Sequence, residues 1–546
     1  MSSGTGRARV AWLLILVSLA CERTMDARVP PPVNNTNSFC ATDFSCPPGQ
    51  ECVGGACVPI RPALRPHIQL ASALLRAPID ASERAWRAGH YDLLIGVDDP
   101  DAARAINPYA RIFAYSLIRV HRFEEPPKPA SQWALAHGYD PEDFYLHYKE
   151  DIYLPTWEGK VIVPGFPAGM VPGWNPGGGG KPASATTRAQ SRVIGYYGGT
   201  PQPSYFANIA NPGFKQFMAE RITGLINGTW YSTVPFATGP VDGIMGDEAI
   251  WYAIYKEGAL DHSVEYYGIP LTADHPYAIA IEQFYPYLSE TLLRVLSRTE
   301  DVMPNYGHVL FLNYNNRSAI NIQSETPWVW GEVWVTYTGA SSPTTGNNRC
   351  ITYNWDYDNA VKAIIRQTRS GGRRVIGARD IANGTAGTDR GKLFTLGLYY
   401  LVHNENTYYM YETASGHALP GHVSTWQYNP AVDYDIGEPQ VLPGNLWDFE
   451  NKHNTREHWV YASGPDPYNP SLTYQVLARR FAHALVLVKM LPEGSVDDAR
   501  SITVHPLGGS YRPLNADGTL GAPVTQASIR NNEALILIPE TVTGIR

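Results

Sequence analysis

Along most of its length the chain alternates short apolar runs with longer stretches whose apolar residues recur at helical spacing. This alternation predicts strand–helix–strand units with parallel strands. Eight runs read as strands: 91–97, 111–117, 192–197, 241–246, 308–312, 328–334, 374–378 and 407–411. Between them the clearest helix is Asn211 to Ile226, where Asn211 can cap, Pro212 fits the first turn, and Phe214, Met218, Ile222 and Leu225 follow helical spacing. Ala278 to Arg298 and Asp356 to Arg369 read the same way. Eight such units predict an α/β fold, the (β/α)8 TIM barrel, whose reacting groups stand at the C-terminal ends of the strands. A doubly wound open sheet competes with it, but no glycine-rich dinucleotide loop follows the first strand.

Two regions break the alternation. Residues 118 to 190 form a long insertion holding Trp133, Tyr139, Phe144, Tyr145, Trp157 and Trp174, and insertions of that length are expected to act as lids or site walls. The glycines at 177–180 before Lys181 do not make a phosphate loop, because Asn175 and Pro182 stand where that motif needs Gly and Ser or Thr. After about Tyr474 the runs become short, closely spaced and of β type, with turn signals such as Asp517-Gly518 between them, which predicts a small antiparallel β-sandwich domain.

Composition narrows the picture. The chain has 546 residues, enough for two or three structural units, and its 34 Tyr and 14 Trp with only 17% charged residues mark an ordered protein. A net charge of −8 and no basic stripe argue against nucleic acid as a partner.

The N-terminus reads as an export signal, with Arg7 and Arg9 ahead of an apolar run from Val10 to Ala20 that is too short to span a bilayer. Ser18-Leu-Ala-Cys21 then resembles the lipobox of bacterial lipoproteins, which implies that Cys21 is lipidated and anchors the chain to a membrane. Glu22 favours the outer membrane by the usual sorting rule for such proteins. Ordinary cleavage after Ala20, leaving Cys21 a bystander, is the competing reading. Cys40, Cys46, Cys52 and Cys57 form an even set in a Gly- and Pro-rich stretch with few apolar side chains, which reads as two disulfides of open connectivity. The stretch resembles the cysteine-rich knobs of myxobacterial-type surface lipoproteins. A zinc site lacks the paired C-x2-C spacing here, and Cys350 has no activating His nearby, so no metal and no cofactor is expected.

The candidate chemistry is carboxylate chemistry. Val241 to Glu248 is an apolar strand ending in Asp247 and Glu248, and Glu332 stands among Trp328, Trp330 and Trp334, an apolar setting suited to a general acid. Cleavage of a glycosidic bond needs such a pair, one carboxyl to protonate the leaving oxygen and one carboxylate to attack the sugar or activate water. Each also has a structural reading, Asp247-Glu248 as a helix N-terminal pair and Glu332 as a strand-end carboxylate held by an Arg. Glu412 closes the eighth run and is a rival to both, while Asp98-Asp99 after the first reads as helix capping. Trp328, Trp330, Trp334, Asn313 and Tyr115 are candidate sugar-binding residues. No G-x-S-x-G elbow or H-E-x-x-H pair occurs.

In order along the chain, Pro141-Glu-Asp-Phe-Tyr-Leu-His-Tyr148, Asn211-Pro212, Asp242-Gly-Ile-Met-Gly-Asp247 and Arg480-Phe481 before Ala484-Leu-Val-Leu-Val488 resemble TIM-barrel glycoside hydrolases. Within them the chain is most similar to the hypothetical glycosidase-like family fifteen, over about residues 88 to 540. The resemblance implies a glycosidase with Asp247 as the fourth-strand catalytic carboxylate and Glu332 as its sixth-strand partner, with Glu248 beside Asp247 and Lys489 in place of Asn as departures. The expected organisation is a leader at 1–21, a linker and knob at 22–62, the barrel at 63–470 and the β sandwich at 471–546. A carbohydrate-binding surface lipoprotein that lost turnover is the alternative function.

Overall fold

The computed structural model describes residues 63–73, 81–117, 130–145, 204–209, 211–229, 241–247, 302–304, 328–337, 372–380, 387–413, 427–440, 459–492 and 494–540. It also describes isolated positions and short strand fragments, among them 50–53 and 56–59. Residues 1–38 lie outside the described residues.

The centre is one sheet of eight parallel strands: β1 (Gln69–Ala73), β2 (Leu93–Ile95), β3 (Arg111–Leu117), β4 (Gly243–Asp247), β5 (Val302–Pro304), β6 (Trp328–Tyr337), β7 (Arg373–Asp380) and β8 (Thr407–Thr413). Their order across the sheet is β5-β4-β3-β2-β1-β8-β7-β6. Each strand except β5 therefore neighbours its successor in the chain, and β1 pairs with β8. Cα atoms of the end strands β5 and β6 come within 8 Å, though no ladder joins them among the described residues.

One expected strand is corrected. Among the described residues, the run at 192–197 contributes Ile194–Gly195 to a separate three-stranded antiparallel sheet with 204–206 and 120–121. The run at 308–312 lies outside the described residues, and the fifth strand is Val302–Pro304. The strand that completes the set, β1, is Gln-Leu-Ala-Ser-Ala, whose small residues carry little apolar signal. They fit because Ala71 and Ala73 share one core with bulky Trp328, Phe113, Tyr408 and Met410.

Helices α1 (Ala81–His90), α2 (Pro100–Ile106), α3 (Ala130–Ala136), α4 (Pro212–Ile226) and α5 (Asp389–Val402) lie between successive strands. Asp99 caps α2 by accepting from Ala102 N, while Asp98 pairs with Arg84 at 2.8 Å, so this acidic pair is structural. Asn211 caps α4 and Pro212 occupies its first turn, as the sequence predicts.

The C-terminal strands are β9 (Trp459–Pro465), β10 (Thr473–Arg480), β11 (Leu485–Lys489), β12 (Thr503–Pro513), β13 (Val524–Ile529) and β14 (Glu533–Pro539). They form one six-stranded antiparallel sheet in the order β9-β10-β11-β14-β12-β13, where two packed sheets were expected. The physical reason is β12: its Thr503–Pro506 end pairs with β13 and its Tyr511–Pro513 end with β14, so a single ladder runs around the core of Val476, Leu485, Leu487, Ile529 and Leu537.

Helix α5 joins the two sheets. Its Gly397 lies so close to β14 that a Cβ there would collide with Ala534 Cβ and stand 3.1 Å from Val488 Cγ2. At its N-terminal end Arg390 binds Asp497 and the carbonyls of Asn531 and Asn532. At its C-terminal end Arg479 Nη1 donates to the carbonyls of Tyr400 and His403 at 2.8 and 2.6 Å, a cation placed where the helix leaves its last acceptors unsatisfied. Burial pushes the His403 imidazole down to about 3, so the ring is neutral against Tyr399 Oη.

Two predictions follow from this junction. Gly397→Ala should lower the denaturation midpoint, because overpacking costs about 1–3 kcal/mol and outweighs the roughly 1 kcal/mol that Ala gains over Gly in a helix. Gly509→Ala, whose Cβ would meet Tyr511 Cε2 at an ordinary 3.5 Å, should change stability by less than about 0.5 kcal/mol. Burial also raises Asp497 from its ordinary 3.8 to about 6, with Arg390 opposing the shift. The native state thus holds this proton more tightly than the unfolded chain. The group's contribution to stability is present below pH 4 and lost as pH rises through about 6. Subtracting the midpoint-versus-pH curve of Asp497→Asn from that of the wild type should show this fall between pH 4 and 6.

Candidate active site

Of the candidate residues, Asp247 and Glu412 stand at or beside the C-terminal ends of parallel strands, and the opposite ends show how each strand is set. Asp242 precedes β4 and accepts from Ile112 N at 2.8 Å and Arg104 Nη2 at 3.2 Å, which locks β4 to β3. From that lock the register runs Gly243 opposite Phe113 to Asp247 opposite Leu117. Asp247 is therefore the last residue of β4, at the same strand parity as core residue Met245. Tyr115, opposite Met245, is partly buried against that core.

Strand β6 starts with Trp328, which the structure places in the core and not on a sugar-binding surface. It is 1% exposed, and its ring lies 5.2 Å from the Arg373 guanidinium, 6.0 Å from that of Arg111 and 5.1 Å from the Phe113 ring. Its reading as a sugar platform is corrected on that ground: it sits at the strand's N-terminal end, enclosed by two cations and aromatic rings. Further along, β6 pairs evenly with β7 up to Gly331 opposite Ile376, and pairing resumes at Val335 opposite Ala378. Glu332 and Trp334 fall inside this bulge, a device that re-aims residues and recurs beside active sites. Trp330 stands just before it, opposite Val375.

Strands β7 and β8 end in a buried ion pair that the sequence analysis did not anticipate. Arg379 and Glu412 are direct ladder partners, with Nε to Oε2 at 3.0 Å and Nη2 to Oε1 at 3.2 Å. Their side chains are 11% and 1% exposed. Glu412 is thus a strand-end carboxylate held by an arginine. Next to Arg379, the fully buried Asp380 accepts from Ala382 N, Thr388 N, Thr388 Oγ1 and Tyr411 Oη at 2.5 to 3.1 Å. Burial and this carboxylate hold the Tyr411 phenol protonated, far above its ordinary range. Thr388 in turn caps α5 through Gly391 N, and a Cβ at Gly391 would collide with the Asp380 carboxylate. The run Arg373 to Asp380 closes the apolar segment Val375 to Ala378 with two opposite charges, a signal for Asp380 and Arg379 but not for their partners.

The insertion after β3 is only in part a candidate wall. Trp133 and Phe144 are buried with Phe214 and Phe217 of α4, and Trp133 Nε1 donates to Glu220 at 2.7 Å. These aromatics belong to the helical layer. Asn313 falls in a short antiparallel hairpin with Arg317–Ser318, apart from the parallel sheet. Glu248, Trp174, Cys21, Cys40, Cys46 and Cys350 lie outside the described residues. Among the described residues no group of three or more His, Cys, Asp or Glu could hold a metal ion, and no helix is long and apolar enough to cross a membrane.

The Arg379–Glu412 pair yields a prediction. Arg379→Met leaves a buried carboxylate without its guanidinium and should destabilise the fold by about 3–5 kcal/mol, read from urea denaturation. Arg379→Met with Glu412→Gln should recover much of that loss.

No family model matches the chain, and no curated protein matches it. Among solved structures it is similar to isomaltulose synthase from Erwinia rhapontici NX5, at 10% identity over 86% of this chain and 98% of that one, with a TM-score of 0.39. It is also similar to Abp-WT, a GH27 β-L-arabinopyranosidase from Geobacillus stearothermophilus, at 7% identity over 88% and 98%, with a TM-score of 0.37. A third is cycloisomaltooligosaccharide glucanotransferase from Paenibacillus sp., at 10% identity and a TM-score of 0.32, where 86% of this chain spans 55% of that one.

Proposed function

We propose that the chain is a glycoside hydrolase whose parallel strands close into a (β/α)8 barrel and whose reacting pair is Asp247 and Glu332. The observation that carries this reading is the register: the fourth strand ends on Asp247, and the even pairing of the sixth strand, Trp328–Tyr337, with β7 breaks after Gly331, at Glu332. One strand, β5, separates them, hydrogen-bonded to β4 and within 8 Å of β6. Strands in a ladder lie about 4.8 Å apart, so the two backbones stand about 10–13 Å from one another. A carboxyl separation of about 5–5.5 Å would suit retention and one of about 6.5–9.5 Å inversion.

In this reading Glu332 protonates the leaving oxygen. Asp247 attacks the anomeric carbon or draws the proton from an attacking water. Tyr115, Trp330 and Trp334 bind the sugar. Glu412, held by Arg379, orients the site. The leader, a lipid anchor at Cys21 and a disulfide-stabilised knob at 22–62 complete the proposal and put the enzyme on the outer surface of a bacterial cell.

Asp247→Asn and Glu332→Gln keep shape and remove the titrating group, so each should fold with an unchanged denaturation midpoint and lose about a thousandfold in turnover. The measurement is hydrolysis across a panel of polysaccharides and aryl glycosides by chain lacking residues 1–21. Near wild-type rates in both variants would move the pair to Glu248 and Glu412. Sugar binding with no cleavage by the wild type would establish the binding-lipoprotein alternative.

A further inference from the structure

The cysteine-rich segment contains a hairpin of Gln50–Val53 and Ala56–Pro59, and its register is Gln50 opposite Pro59, Glu51 opposite Val58, Cys52 opposite Cys57 and Val53 opposite Ala56. Two residues, Gly54 and Gly55, connect the strands. In a two-residue hairpin the pair flanking the loop is the hydrogen-bonded one, and hydrogen-bonded and non-hydrogen-bonded pairs then alternate along the ladder. Val53 and Ala56 flank the loop, so Cys52 and Cys57 form the next, non-hydrogen-bonded pair. At such a pair the Cα atoms are about 4.5 Å apart, within the roughly 4.4–6.8 Å that a disulfide spans, and directly opposite residues share a face of the ribbon.

From this register we infer that Cys52 and Cys57 are joined by a disulfide across the hairpin, a bond that selects one of the three connectivities open to the four cysteines and leaves Cys40 and Cys46 to each other. Physical need points the same way. A two-stranded hairpin is marginal in water, and this one has four residues per strand, with Gln, Glu and Pro among them. A covalent rung next to the loop holds both strands in register when the apolar contacts cannot. Formation of the bond releases a proton and an electron from each thiol, and both electrons pass by thiol–disulfide exchange to a disulfide-bearing oxidant, which leaves as a dithiol. The inference does not depend on the glycosidase reading.

Glu51 makes the test direct. Among glutamates it is the one between Glu22 and Glu83, so cleavage after glutamate divides this region into peptides 23–51, with Cys40 and Cys46, and 52–83, with Cys52 and Cys57. The full chain, recovered from an exporting host, is denatured, alkylated without reductant, digested with a glutamate-specific protease and analysed by mass. The expected result is two separate peptides, with 52–83 unalkylated and two hydrogens lighter than its dithiol form. A product in which 23–51 and 52–83 remain linked, or alkylation of Cys52 and Cys57 in the untreated protein, overturns the assignment. In the Cys52→Ser variant, Cys57 should become alkylated while Cys40 and Cys46 stay protected; alkylation of Cys40 or Cys46 in place of Cys57 also overturns it.

Discussion

Helix α5 has to fit between two sheets that both approach to backbone distance, and it does so by lacking side chains where they come nearest. Gly391 admits the Asp380 carboxylate from the parallel sheet, and Gly397 admits Ala534 from the antiparallel one. Phe394, Leu396, Leu398 and Leu401 are fully buried around these points, each worth about 1.5–3 kcal/mol in removed apolar surface. Because helix and sheets touch without slack, the Asp380–Thr388–Tyr411 hydrogen bonds have one geometry, and the neighbouring Arg379–Glu412 pair inherits it.

Charge is used sparingly and mostly for orientation. Arg87 binds Glu83 and Ser72, Arg379 binds Glu412, and Arg390 binds Asp497, each pair at least partly withdrawn from water. Such pairs lose about as much in desolvation as they regain in attraction, so their effect lies in excluding other arrangements. Each joins elements distant in sequence or fixes a helix against a strand, which apolar packing alone would leave free to slide. Trp328 shows the same logic at the start of β6, where two guanidinium groups and two aromatic rings enclose one indole.

How far the fold is legible in the sequence depends on whether a strand is buried on both faces. Leu93-Leu-Ile95 and Thr407 to Thr413 are, and their continuous apolar runs identify them directly. Gln69–Ala73 is equally buried beyond its first residue, but alanine and serine fill the narrow space beside larger neighbours and leave no run to detect. The opposite error, at 192–197, arises because an apolar run cannot tell a parallel core strand from one in a small antiparallel sheet. In the site, the position of Asp247 at a strand end was readable from Val241 to Gly246. The bulge at Glu332 was not, since a register shift depends on the partner strand, and neither was the Arg379–Glu412 pair, which is adjacent across a ladder and 33 residues apart in the chain. The aromatic residues of the insertion misled for a related reason: Trp133 and Phe144 have the composition of a binding wall and the surroundings of a core.

Helix α5 also bears on how such a protein could be recombined. The antiparallel sheet begins at Trp459, yet Arg390, Gly397 and the carbonyls of Tyr400 and His403 are already fitted to it. A graft that carried only the C-terminal strands onto another scaffold would arrive without the helix that packs against Val488 and Ala534. The unit of exchange therefore reaches back into the strand-and-helix repeat, and lineages that swap this sheet must swap α5 with it or rebuild both its glycine contacts and its two arginine clamps.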